Sequence, residues 1–173
     1  ERIEIPVIAA VHGVCACGGL ELAMACDFRI AAEGTRFGFT EGNINLIPGS
    51  GGCSRLVKLI GPGWAKEMVL AGEFIGTERA MHLGLITRVA PYDRLMDDAR
   101  ALAATLLKKA PLALGMAKII MLRNLGRKTT DLTNPKNAEA CNASLTNTIT
   151  KSHWGLVVKF ESRVLIEDSK SNI

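Results

Sequence analysis

The feature that most constrains this chain is a glycine turn placed directly after a short apolar run. Residues 6–11 are continuously apolar and include β-branched side chains, which predicts a buried strand. His12-Gly13 leads on to Cys17-Gly18-Gly19, and the apolar run that follows predicts a short buried helix over about residues 18–26, with Glu21 in its first turn. Backbone N–H groups in a helix's first turn have no intrahelical partner, so they can bind an anion or a developing oxyanion. Glycine there lets a ligand approach the backbone closely, because no Cβ intervenes. Twenty residues beyond Glu21, Glu41 opens a loop over 41–52 that holds asparagines, a proline and four glycines. A loop of that length is a candidate for function rather than simple connection. Hydrogen-bond donors beside two carboxylates point to enolate or tetrahedral-oxyanion chemistry.

The remaining pattern is α/β. A second strand is predicted over 27–32, a turn at Glu33-Gly34 and a short extended piece over 35–39. Two helices follow over 54–60 and 64–71, separated by Gly61-Pro62-Gly63. Thr77 is the predicted N-cap of a short helix ended by Gly84. An extended segment over 85–90 stops at Pro91. Helical periodicity covers 93–109, with acids early and lysines late, and Pro111 restarts a helix to about 122. Beyond 123 the chain turns rich in Thr, Asn, Ser and Lys; a weak helix is predicted over 137–145 and frayed residues at the end. The expected division is a core over 1–90, a helical region over 91–122 and a polar tail over 123–173.

Composition excludes several classes. With 48% hydrophobic and 22% charged residues the chain is globular rather than disordered. The net charge of +4 is mild and aromatics make up only 5%, so nucleic acid is not an expected partner, although an anionic ligand suits the charge. Five cysteines, Cys15, Cys17, Cys26, Cys53 and Cys141, form no CxxC pair and predict buried reduced thiols in a cytosol-like compartment. His12, His82 and His153 lack ligand spacing, so no metal site is expected. No run is long enough to span a membrane, and the first residues do not read as a secretory signal.

Five segments taken together resemble the enoyl-CoA hydratase/isomerase (crotonase) superfamily. They are the strand at 6–11, the turn at 17–23, Cys26-Asp27, the loop at 37–41 and the Pro-Gly-x-Gly-Gly turn at 48–52; the stretch 71–86 adds to them. The resemblance covers about residues 5–121. It implies a crotonase-like (ClpP/crotonase) β-spiral core followed by C-terminal helices. It also implies a hydro-lyase that adds water reversibly to a 2-enoyl-CoA thioester. Residue by residue, it assigns the oxyanion N–H to Gly18, with Gly19 beside it, and the acid/base pair to Glu21 and Glu41. Gly49 matches the position that helps to place the water. Coenzyme A enters only as the carrier of the acyl substrate, with no further cofactor and no metal. A homotrimer or hexamer in the cytoplasm or the mitochondrial matrix is expected.

Departures from the family pattern set the rival readings. Cys17 stands for the first glycine of the triplet and Thr40 for the proline before Glu41. The chain begins about where the family's N-terminal half ends, the half that supplies a second oxyanion N–H and much of the CoA surface. The polar tail replaces the amphipathic helices that usually close the site. One alternative is a double-bond isomerase of enoyl-CoA. Another is a truncated, silent paralogue that binds or assembles. Two carboxylates favour the hydratase, since the isomerases of the family can work with one.

Overall fold

The computed structural model describes residues 5–124 and two further strands. In chain order the elements are β1 (Val7–Val11), β2 (Val14–Ala16), α1 (Cys17–Ala25), β3 (Phe28–Ala32), β4 (Arg36–Gly38), a 3-10 turn (Glu41–Ile44), α2 (Gly52–Leu70), β5 (Ile75–Gly76), α3 (Thr77–His82) and β6 (Arg88–Ala90). A second 3-10 turn (Tyr92–Arg94), α4 (Leu95–Leu107), α5 (Pro111–Asn124), β7 (Leu156–Phe160) and β8 (Val164–Glu167) complete them.

The strand β1 explains the architecture. It runs parallel to β3 on one side and to β7 on the other, within a sheet ordered β6-β3-β1-β7-β8. Side chains alternate across a strand. Val7, Ala9 and Val11 therefore join one core with Leu20, Met24, Leu56 and Met68 from α1 and α2, while Ile8 and Ala10 join another with Leu95, Ala99 and Leu102 from α4. Covered on both faces, β1 has to be apolar throughout, which is why its run is continuous rather than alternating. A smaller sheet, β2-β4-β5, adds Cys15, Phe37 and Ile75 to the first core.

Local expectations and structure differ at several points. The helices expected over 54–60 and 64–71 form one element, α2, but Gly61 breaks it with φ 78°, so the Gly-Pro-Gly signal produces a kink. Thr77 does not cap α3; it is the first helical residue, Gly76 holds the cap position, and no side chain bonds the cap. The helix expected from 93 begins at Leu95, after a 3-10 turn. Four strands were not foreseen: β7 and β8 beyond residue 123, and the short β2 and β5, with three and two residues. Pairing with β4 defines β2 and β5, and strands that short carry no periodicity. The segment after 123 contributes β7 and β8 to the main sheet. The helix expected over 137–145 lies outside the described residues, as does Cys141. Among the described residues no helix is long and apolar enough to cross a membrane.

Two buried charges hold the elements together. Arg29, the second residue of β3, donates from Nε to the Leu85 carbonyl at 2.7 Å and from Nη1 to the Cys26 carbonyl at 2.6 Å. Burial pulls its guanidinium below the usual arginine value, with Cys26 and Asp27 opposing that shift. Lys118 of α5, only 6% exposed, reaches Asp27 Oδ2 at 2.7 Å and the Ile5 carbonyl at 2.9 Å. The same Asp27 oxygen accepts the Val7 N–H at 2.7 Å, so one carboxylate pins α5 to the start of β1. Removing one partner of a buried ion pair strands the other, at about 3–5 kcal/mol. Lys118→Met is expected to lower stability by about 3 kcal/mol, read by urea unfolding.

Candidate active site

The site is built on α1. The helix begins at Cys17, whose φ of 52° lies in the left-handed region that glycine normally fills. Gly18 and Gly19 follow within the first turn; both are exposed, and a Cβ on either would meet nothing within 4 Å. No side chain caps this helix. The first-turn N–H groups therefore lie at an open, glycine-walled helix entrance, which suits a ligand oxygen.

Because the helix starts at Cys17, Glu21 falls in its second turn, not its first. It points inward and is 4% exposed. Its Oε1 accepts two backbone N–H bonds, from Ser50 and Gly52, each at 2.8 Å. A Cβ on Gly52 would stand 2.8 Å from that oxygen and 2.7 Å from Pro48 Cβ, so only glycine allows this approach. Gly51, at φ 91°, supplies the bend between the two donors. Gly49 is exposed at the tip of the same turn, and the bonds to Glu21 come from its neighbours. Sequence reasoning missed Ser50 and Gly52. The only available signal was the glycine density of the turn, because their partner lies 29 and 31 residues earlier.

Glu41 opens the 3-10 turn directly after Thr40. That turn closes through Thr40 and Glu41 carbonyls, which accept from Asn43 and Leu46 at 3.0 Å each. The Glu41 Oε2 atom is buried and has no hydrogen-bond partner among the described residues. Buried carboxylate oxygens are rarely left so. Cys17 Sγ lies 3.1 Å from Thr40 Oγ1, which joins the entrance of α1 to the Glu41 turn. Thus α1 contacts both loops: through Cys17 the one that carries Glu41, and through Glu21 the one over 50–52. An exposed apolar strip, Ile44, Leu46 and Ile47, follows Glu41.

The thiols divide. Cys15 and Cys26 are buried, Cys17 is half-buried, and Cys53 is exposed on α2, which corrects the expectation that all are buried. Burial, helped by Cys26, pushes the Cys15 thiol up to about 12, and burial raises Cys26 as well. Among the described residues no group of three or more His, Cys, Asp or Glu is placed to hold a metal ion.

Comparison with known proteins gives this geometry a family. Residues 1–163 match the family described as Enoyl-CoA hydratase/isomerase. A crotonyl-CoA hydratase from Syntrophomonas wolfei is 42% identical over 118 residues, 68% of this chain and 45% of that protein. A short-chain-enoyl-CoA hydratase from Clostridium acetobutylicum is 38% identical over 125 residues, 72% of this chain and 48% of that protein. The chain spans about half the length of the curated relatives it matches. Among solved structures, an enoyl-CoA hydratase from Bacillus anthracis superposes with a TM-score of 0.76 at 36% identity, covering 84% of this chain and 56% of that one. The fold is the α/β crotonase fold, and the chain belongs to the enoyl-CoA hydratase/isomerase family.

Proposed function

We propose that the chain supports reversible addition of water to a 2-enoyl-CoA thioester. What supports this reading is that α1 carries Glu21, held by the Ser50 and Gly52 N–H groups, and is joined at its glycine entrance, through Cys17 and Thr40, to the turn that bears Glu41. The thioester oxygen rests at the Gly18 N–H, with Gly19 leaving room beside it. Water lies between Glu21, whose Oε1 is engaged by Ser50 and Gly52, and Glu41, whose Oε2 has no protein partner among the described residues. One carboxylate takes a proton from the water as its oxygen bonds to C3. The other gives a proton to C2, and proton exchange with solvent restores both. Negative charge that builds on the thioester oxygen meets the helix-entrance donor, which is where such donors act most strongly. Gly49 belongs to the turn over 48–52, which in this reading orients the water.

The substrate class is acyl-CoA, with coenzyme A as carrier and no redox or metal group required by this chemistry. The apolar strip over residues 44–47 suits contact with an acyl chain or with a second copy of the chain, and a homotrimer or hexamer is the assembly that family likeness favours. The names of the two curated relatives, both hydratases, support the reading.

The test uses crotonyl-CoA and follows the fall of enoyl-thioester absorbance. The wild-type chain is expected to hydrate it. Gly18→Pro deletes one N–H of the first helical turn, where no intrahelical bond is lost, and is expected to cut kcat by about 10²–10³-fold. Equal rates in the two proteins would remove Gly18 from the mechanism.

A further inference from the structure

We propose that Cys17 and Thr40 form a positioning pair, in which one side-chain hydrogen bond sets the spacing between the helix-entrance donors and Glu41. The inference rests on the reading of the site given above, and it concerns residues to which that reading assigns no role.

Three observations carry it. First, Cys17 holds a left-handed backbone, φ 52°, although it bears a Cβ. Strain of that kind persists only where the surroundings over-determine it, and it collects at working sites. Second, the Cys17 thiol does not point idly outward. Its Sγ sits 3.1 Å from Thr40 Oγ1, short for a bond that involves sulfur, with either atom able to donate. Third, Thr40 is committed at both ends. Its backbone occupies the cap position of the 3-10 turn and its carbonyl accepts the Asn43 N–H at 3.0 Å, while its side chain holds α1. Glu41 is the next residue, so its backbone is held by a turn that is itself tied to the donor helix.

The pair accounts for both local departures noted in the sequence. Glycine at 17 would relax the backbone but would remove the thiol. Proline at 40 would stiffen the approach to Glu41 but would remove the hydroxyl. Cysteine and threonine meet each other instead, so the two changes act as one unit. A glutamate one residue from the tie moves when the tie is lost, and displacements on the ångström scale have large effects on rate.

The test takes the 173-residue chain with Thr40→Val, Thr40→Ser, Cys17→Gly and the double variant Cys17→Gly/Thr40→Val. Two readouts are used: kcat and KM on crotonyl-CoA, and the rate of iodoacetamide labelling at Cys17 by peptide mass. Exposed Cys53 and buried Cys15 serve as internal fast and slow references. Thr40→Val is expected to lower kcat about tenfold with KM nearly constant, and the double variant to be no worse than the poorer single. Thr40→Ser, which keeps the hydroxyl, is expected to recover most of the loss. Labelling at Cys17 is expected to rise roughly threefold in Thr40→Val, since one hydrogen bond no longer restrains the thiol. Multiplying losses in the double variant, or Cys17 labelling unchanged by Thr40→Val, would overturn the pair. If the wild-type chain hydrates nothing, labelling alone decides the pair, and the hydratase reading fails separately.

Discussion

Glu41→Gln is expected to lower kcat for crotonyl-CoA hydration by about 10²–10⁴-fold while moving the melting temperature by no more than about 2 °C. The separation follows from the geometry. Glu41 Oε2 is buried but has no hydrogen-bond partner among the described residues, so this oxygen supports no part of the fold. Its turn is closed by main-chain bonds that an amide side chain leaves intact. In the proposed mechanism the carboxylate moves a proton, and an amide of the same shape can neither take nor deliver it. Activity assay and thermal melt together check this. A loss of activity accompanied by a large loss of stability would mean that Glu41 is structural.

Glu21 is expected to behave in the opposite way under truncation. Glu21→Ala strands the Ser50 and Gly52 N–H groups, both of which now donate to one oxygen at 2.8 Å. Each stranded donor costs about 1–3 kcal/mol, so a loss of about 3 kcal/mol and a fall of about 10 °C in Tm are expected. Hydration falls as well, because the turn over 50–52 loses its anchor. Glu21→Gln keeps an oxygen for the two donors and is expected to stay within about 1 kcal/mol of wild type while activity still collapses. Differential scanning calorimetry of the two variants distinguishes the anchoring role from the chemical one. If Glu21→Ala melts with the wild type, the two N–H bonds are not what holds the loop.

What could be read from the sequence was local. The strand at residues 7–11, the helix after it and the break at Gly61-Pro62 each carry their cause within a few residues: apolar continuity, a glycine turn, a proline. The two glutamates stood out as candidates, because their spacing falls inside a recognisable order of motifs. What could not be read depends on distant partners. Glu21 meets its donors across about thirty residues, Asp27 meets Lys118 across ninety-one, and β2 exists only because β4 lies beside it. The charges at Arg29 and Lys118 did leave a trace: each interrupts an otherwise apolar stretch, and a charge in such a place needs a buried partner. The contact between Cys17 and Thr40 left none, since two separate oddities in a sequence do not announce that they touch.

The central claim is that this helix entrance and its two glutamates add water to an enoyl thioester. The most direct measurement is incubation of the chain with crotonyl-CoA in ¹⁸O-labelled water, with product analysis by mass spectrometry. The account predicts 3-hydroxybutyryl-CoA carrying one ¹⁸O at C3, formed by the wild type and lost in Glu41→Gln. Unchanged crotonyl-CoA with the folded wild-type chain, or a double-bond isomer with no ¹⁸O, would contradict it.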